Sequence, residues 1–457
     1  MLESYQTSVR ISSLNGRQII QFSLQAPPPP PPSPSSSSFQ HNLRMPLPAA
    51  LSPLTQPNFR LLWIGQGVSA LGDALVPVAL AFATLSIARS ASALGLVLAT
   101  STLARVISLP IGGVWADRLP RQRVMLASDV IRGLVQAAIA ALLMTHTAHL
   151  WHLVLGGVVF NFAGGFFQPA STALTPQTVD AQELQQANAL MGLTRSTVWL
   201  VGPAVSGVLV ATVGPAVSFA IDAATFAASA TSLAFLNTQP ITGIGRKNFW
   251  RELGDGIRAV AGRRWYLLNL GAHAVWNFAF AAFLVAGPIV ARDQLGGASA
   301  WGFIGTSMAA GSMLGGLIAL RVTPRRPLIV ANLVLALSSL QLLAIAVPAP
   351  IVVIMAACVV GEAALIFLNE VWFATIPQLL PADLLARATS FDWLLSIIAM
   401  PLGFAVTGPV ADHVGLRATL IAAAILMAVP CVLIVFVPGV RRVKRTAEGQ
   451  VILEGAV

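Results

Sequence analysis

The sequence predicts an all-α integral membrane protein: twelve transmembrane helices in two pseudo-symmetric six-helix bundles. Three observations carry that expectation. First, the chain is 56% hydrophobic and 10% charged, against about 25% charged residues in a soluble domain. Lipid, not water, is the solvent that suits such a surface. Second, from Arg60 onward the chain divides into apolar runs near the ~20 residues that cross a bilayer as a helix. Third, the charged hairpin Gly112-Gly113-Val114-Trp115-Ala116-Asp117-Arg118-Leu119-Pro120-Arg121-Gln122-Arg123 has a fainter copy at Gly315-Gly316-Leu317-Ile318-Ala319-Leu320-Arg321-Val322-Thr323-Pro324-Arg325-Arg326. Such a repeat marks a duplication whose halves can rock against each other.

Residues 1–57 differ from all that follows. Pro27 to Pro32 is an unbroken proline run, followed by Ser33-Pro34 and four serines. A segment of this composition buries no core and is expected to be disordered, with polyproline character. It lacks the basic-then-apolar layout of a signal peptide. Met45 opens a short leader just before the first helix, and translation is expected to start there.

The spans are expected at 60–87, 94–116, 123–145, 150–170, 187–211 and 216–236 in the first half, and at 265–290, 300–320, 327–348, 350–374, 386–411 and 416–438 in the second. They make an N-terminal bundle over 58–236 and a C-terminal bundle over 265–440. The longest connector, 237–264, carries Arg246, Lys247, Arg251, Arg258, Arg263 and Arg264. Its stretch Asn248 to Ala261 fits an amphipathic surface helix. A basic tail, 441–457, closes the chain.

Charge sets the topology. The +10 net charge sits in short loops, where it orients the chain and meets anionic headgroups. No basic face with interleaved aromatics exists to bind nucleic acid. One set of loops holds Arg118, Arg121, Arg123, the 246–264 cluster, Arg321, Arg325, Arg326 and Arg387, and the tail adds Arg441, Arg442, Lys444 and Arg445. The opposite loops hold little more than Arg89, Arg292 and Arg417. Both termini are therefore expected in the cytoplasm.

Along the helices, polar residues inside apolar runs are the candidates for chemistry. Asp73 stands near the centre of the first helix. A mid-bilayer charge costs at least about 2.5–3.5 kcal/mol, so it faces a cavity or a partner. Pro77, four residues on, cannot donate to the Asp73 carbonyl. Arg105, midway along the second helix at similar depth, is the expected ion-pair partner. Asp129 and Arg132, three apart on helix 3, are read as completing the charge network of the 112–123 hairpin. Asp222 is read as a cap or interface charge near the outer end of helix 6. Further polar positions are Arg195 on helix 5, His273 and Asn277 on helix 7, Glu362 and Asn369 on helix 10, and Asp392 on helix 11. Glu362 is the deepest acid of the second half and the second proton candidate. For each of these, a packing hydrogen bond is the plainer alternative.

Other patterns are quiet. Cys358 and Cys431 both lie in apolar runs and read as small hydrophobes. His146, His149 and His152 recur every third residue around an outer loop, but no acid or cysteine joins them, so no metal site is expected. There is no phosphate-binding Walker loop, serine elbow or metalloprotease helix. The expectation is a protein that is not an enzyme and carries no cofactor.

The halves echo each other beyond the hairpin. Pro176-Gln177 precedes Glu183-Leu184 and a helix with Pro203 and Gly207; Pro377-Gln378 precedes Asp383-Leu384 and a helix with Pro401 and Gly408. With these blocks in place, residues 58–440 resemble the major facilitator superfamily. Gly113-Val114-Trp115-Ala116-Asp117-Arg118-Leu119-Pro120-Arg121 is similar to its signature between helices 2 and 3, with Pro120 where a glycine usually stands. That proline, with Gly165-Phe166-Phe167-Gln168-Pro169-Ala170 and Glu183-Leu184-Gln185-Gln186-Ala187-Asn188-Ala189-Leu190, resembles the branch of macrolide-efflux and enterobactin-exporter relatives. Gly202-Pro203-Ala204-Val205-Ser206-Gly207 resembles the exporter signature Gly-Pro-x-x-Gly-Gly, with Ser206 replacing one glycine.

The resemblance implies a monomeric secondary transporter in a bacterial cytoplasmic membrane, exporting a small molecule against protons. Its substrates are expected to be apolar or amphipathic compounds; export of one dedicated metabolite, such as a siderophore or antibiotic, is the alternative, and a non-transporting sensor a remote one. The resemblance also implies that Asp117 latches the halves when the pore faces outward. Leu320 in the second copy makes that latch one-sided. Phe82, Phe162, Phe166, Trp276, Phe280 and Phe367 are the aromatics expected along the cavity.

Overall fold

The structure is a computed structural model that describes residues 6–14, 17–25, 51–116, 118–237, 262–347 and 349–454. The chain divides into two units, Met1–Ser52 and Pro53–Val457. The expected start at Met45, the linker helix over 248–261 and Asp117 lie outside the described residues.

In the first unit, β1 (Gln6–Leu14) pairs antiparallel with β2 (Arg17–Gln25), Gln6 opposite Gln25. This stretch was expected to lack regular structure. The composition argument rested on the proline run that follows it, whereas Val9, Ile11, Ile19, Ile20 and Phe22 favour strand, and the Asn15-Gly16 sequence between them is one that two-residue hairpins prefer.

The second unit is helical. Its first half comprises α1 (Pro57–Ala88), α2 (Ala91–Ala116), α3 (Arg121–Met144), α4 (Leu150–Leu174), α5 (Leu184–Val213) and α6 (Pro215–Ala234). Its second half comprises α7 (Arg264–Val290), α8 (Ala298–Ala319), α9 (Pro327–Ala346), α10 (Ile351–Leu379), α11 (Ala382–Val414) and α12 (Leu416–Leu433). Proline in the first turn of α1, α6 and α9 falls where its missing N–H is not needed. His149 caps α4, where His152 accepts from its backbone N–H at 2.9 Å through Nδ1. A break at Leu337–Ser338 divides α9, and there the Ser338 hydroxyl receives the Trp276 indole N–H at 2.6 Å. Eleven of these helices are long and apolar enough to cross a membrane. The other, α11, has 33 residues and carries Pro401 and Pro409.

Packing reproduces the duplication. In the first half α1 packs on α5 and α6, α2 on α4, and α3 on α4 and α6; in the second, α7 packs on α11 and α12, α8 on α10, and α9 on α10 and α12. Each pair has its counterpart six helices later. The repeated glycines explain one of these matches. Gly112 on α2 lies against the backbone of Gly165 and Phe166 on α4, and its copy Gly315 on α8 lies against the backbone of Ala363 on α10. A side chain at either position would collide with backbone, so the small residue sets the helix spacing.

The two halves meet through α2 against α11 and through α5 against α8. These contacts are again pseudo-symmetric. They concentrate at the membrane side holding the α1–α2, α5–α6, α7–α8 and α11–α12 connections. Gly95 touches Phe404 there, and Gly207 touches Ala298 and Gly302. Part of the expected basic tail is regular structure. After a short helix α13 (Pro438–Arg441), β3 (Val443–Arg445) pairs with β4 (Val451–Leu453). Buried Val440, Val443 and Val451 cluster with Tyr266, Leu328 and Trp372.

Candidate functional site

All six helices of the first half contribute to the wall of a cavity of about 400 Å³. Its charged lining residues are Asp73 from α1, Arg105 from α2, Arg132 from α3 and Arg195 from α5. A second cavity, about 470 Å³, lies between the halves. Ala74, Pro77, Trp199 and Pro203 line it from one side, and Leu284, Trp301, Met308 and Met313 from the other. Pro77, Arg195 and Trp199 border both spaces. The result is a polar chamber joined to an apolar one, of the size that small-molecule sites have.

The expected Asp73–Arg105 pair is replaced by another. Asp73 is held by Arg132 of α3, Nη2 to Oδ1 at 2.5 Å, with Arg132 8% and Asp73 29% exposed at the side chain. The reason lies in the surroundings of Arg132. Its guanidinium stands over the rings of Phe160 (4.5 Å) and Phe226 (4.2 Å), an arrangement that holds a desolvated cation. Arg105 lines the same chamber but has no carboxylate within ion-pair distance among the described residues.

Asp129 and Arg132 likewise leave the hairpin network proposed for them. Asp129 is fully buried; its Oδ2 accepts the Ser229 hydroxyl at 2.6 Å, and Oδ1 stands 3.9 Å from Arg132. Asp222, read as a cap or an interface charge, is fully buried at the interface of α6 with α3. Gln136 donates to its Oδ2 at 2.5 Å, and Thr225 to its Oδ1 at 3.4 Å. The hairpin itself ties α3 to its neighbours: Arg121 donates to the Ala173 carbonyl at 2.8 Å, and Gln122 to those of Leu233 and Leu236. Arg118 and Arg123 are exposed, and Gly113 faces open space.

The helix 5 motif packs at the seam. The Ser206 hydroxyl donates to the Leu75 carbonyl of α1 at 2.5 Å. Gly202 packs on Ala74, while Pro203 and Gly207 meet Gly302 of α8. The α1 segment carrying Asp73 is thus joined, through α5, to the other half.

The second-half candidates stay apart from these cavities. Glu362 is buried, and its Oε1 has no hydrogen-bond partner. His273 is buried with Nε2 unpartnered, edge-on to Trp372 at 5.1 Å. Asn277 donates to the His273 carbonyl at 3.0 Å. Asp392 accepts the Trp372 indole N–H at 2.8 Å. Asn369 is half-buried. The expected cavity aromatics are also placed elsewhere: Trp276 and Phe280 stack on each other at 5.0 Å in the core. The cavities use Phe160, Phe167, Phe219, Trp199 and Trp301 instead.

One residue at the seam between the halves escaped the sequence reading. Asp412, near the end of α11, accepts from the Ser90 hydroxyl (2.9 Å), the Ala91 N–H (3.2 Å), and the Ser92 N–H (3.0 Å) and hydroxyl (2.5 Å). It caps the start of α2 from the opposite half. The hydrogen bonds found between described residues of the two halves all end on Asp412. Ser90 caps this helix start itself, accepting the Ala93 N–H at 3.3 Å, and the first turn has no acid of its own, which is the sequence signal for a positive helix end that can take an outside carboxylate.

A duplicated helical bundle whose first half encloses a polar chamber, together with the relatives that follow, defines a multi-pass membrane transporter, not an enzyme. The chain belongs to the transmembrane secretion effector family of the major facilitator superfamily, whose model matches residues 48–449. It is 21% identical to macrolide efflux protein A of Streptococcus pyogenes over 370 residues, covering 79% of this chain and 91% of that one. It is 26% identical to the multidrug efflux pump Tap of Mycolicibacterium fortuitum over 391 residues, 81% of this chain and 93% of the relative. In fold it is similar to a bacterial homologue of the iron transporter ferroportin (TM-score 0.65, 15% identity, 83% and 98% coverage) and to the nucleoside transporter NupG (TM-score 0.64, 15% identity, 84% and 98% coverage).

Proposed function

We propose that the protein exports small amphipathic or apolar compounds across a bacterial cytoplasmic membrane by proton antiport, alternating between two arrangements of its halves. The observation that carries this reading is the Asp73–Arg132 pair on the cavity wall. A proton on Asp73 removes the negative charge that holds Arg132. The α1 backbone beside it, at Ala74 and Leu75, rests on Gly202 and Ser206 of α5, and α5 rests on α8. Protonation therefore acts on the seam between the halves.

The arginine-rich side, which includes Arg121, Arg264, Arg325, Arg441 and Arg442, is taken as cytoplasmic. On that orientation, the side sealed by α2–α11 and α5–α8 faces outward, and this arrangement is open inward. Asp412 then acts as the outer latch, released when substrate and cavity pass to the other face. Multidrug efflux in the relatives named above supports the direction of transport.

The test is a substrate screen in proteoliposomes with an imposed pH gradient, run beside Asp73→Asn. Gradient-driven uptake into inside-out vesicles, lost in the variant, supports the proposal. Solute movement indifferent to the gradient contradicts proton coupling.

A further inference from the structure

The joined cavities carry an unbalanced charge. Their lining holds three guanidiniums, Arg105, Arg132 and Arg195, against one carboxylate, Asp73. Arg132 is committed to Asp73 at 2.5 Å. The other acids within the helices of this half, Asp129 and Asp222, lie behind the wall with no exposed surface, engaged with Ser229 and Gln136. Arg105 feels the charges of Arg132 and Arg195, opposed by that of Asp73. Neither Arg105 nor Arg195 has a carboxylate within ion-pair distance among the described residues, and both are exposed to the cavity space. From the second half the lining contributes no charge. Two unpaired cations at mid-membrane are expensive, and mutual repulsion adds to that expense.

An occupant resolves the imbalance. Trp199 stands one turn from Arg195 and borders both chambers, so an apolar body leaving the arginines passes directly onto aromatic and thioether surface. We infer that the cavity recognises an amphipathic organic anion, its acidic group between Arg105 and Arg195 and its apolar body along Trp199, Trp301, Met308 and Met313. Arginine suits this task because its planar fork binds carboxylate, sulfonate or phosphate through paired hydrogen bonds. The flexible methionines admit bodies of different shape. This assignment rests on the transporter reading and narrows its substrates to acids.

The test uses three probes with one body: dansylglycine (an anion), dansylamide (neutral) and dansylcadaverine (a cation). Each is titrated against the full-length protein in phosphatidylcholine nanodiscs and then offered to proteoliposomes. Dansylglycine is expected to bind at least about tenfold more tightly than dansylcadaverine. Arg105→Gln and Arg195→Gln are each expected to weaken dansylglycine about fivefold or more while leaving dansylamide unchanged, and Arg195→Lys, which keeps the charge but not the planar fork, to retain only part of the preference. Equal or tighter binding of the cation, no binding of dansylglycine, or a preference untouched by both Gln variants overturns the inference. Competition by phosphatidylglycerol added to the nanodiscs assigns the anion site to lipid; indifference to it assigns the site to soluble acids. Selective binding of dansylglycine without transport of any probe upholds the anion site and counts instead against the transporter reading.

Discussion

Ser92 at the start of α2 and Asp412 near the end of α11 stand 320 positions apart, yet both the N–H and the hydroxyl of Ser92 reach one oxygen of the Asp412 carboxylate, at 3.0 and 2.5 Å. The bond joins the two duplicated halves at the side where they are sealed. A carboxylate at a helix N-terminus also meets the positive end of the helix dipole. Because Asp412 is exposed, water screens part of this attraction.

Asp412→Asn removes the charge but keeps one acceptor. The sealed arrangement should lose about 1 kcal/mol, roughly a fivefold shift in population. Spin labels at Thr147 and Ala349, in sealed-side loops of opposite halves, report it as a larger fraction of long distances. An unchanged distance distribution contradicts a latching role.

The seam also depends on size. A Cβ on Gly302 would meet the Pro203 carbonyl and stand 2.9 Å from Gly207 Cα. Gly302→Val should disfavour the sealed state by about 1–3 kcal/mol through overpacking. Labelling of Ser312→Cys by a membrane-impermeant reagent added from outside should then become faster. Equal labelling with and without Gly302→Val shows that the seam is not tight.

The two partners of the central pair should differ in stability cost. Arg132 binds Asp73, lies 3.9 Å from Asp129, and fills the space between Phe160 and Phe226. Arg132→Ala leaves Asp73 without its cation and buried Asp129 with only Ser229, empties the space between two rings, and should cost about 3 kcal/mol. Asp73→Asn, on the more exposed partner, keeps the shape and should cost less. Thermal unfolding in detergent checks the order; an equal or reversed order contradicts it.

The C-terminal hairpin should be structural. Arg445 donates its backbone N–H to the Arg325 carbonyl at 2.8 Å, and Val451 to Gln378 at 2.9 Å. Val443→Asp places a charge among Tyr266, Leu328 and Trp372, and should lower stability by about 2 kcal/mol or more. Thermal unfolding unchanged from the parent protein marks the hairpin as dispensable.

The spans and the duplication were legible because apolar run length and a repeated glycine pattern are local properties of the chain. The ion pair was not. Depth along a helix suggested Arg105 for Asp73, but the choice between Arg105 and Arg132 depends on which helix faces which. It is settled by Phe160 and Phe226, contributed by α4 and α6. Asp412 reads in sequence as an ordinary polar residue before the Gly415 turn; only the meeting of α2 with α11 gives it donors. Asp73, Arg105 and Arg132 were all named as candidates, and the fold supplied their grouping.

The central claim is that Asp73 couples proton movement to export. The most direct measurement compares two assays on Asp73→Asn in the same proteoliposomes: substrate exchange at equal pH and uphill accumulation under a pH gradient. The account predicts that exchange persists while accumulation is lost. Accumulation at the parent level in Asp73→Asn would contradict it.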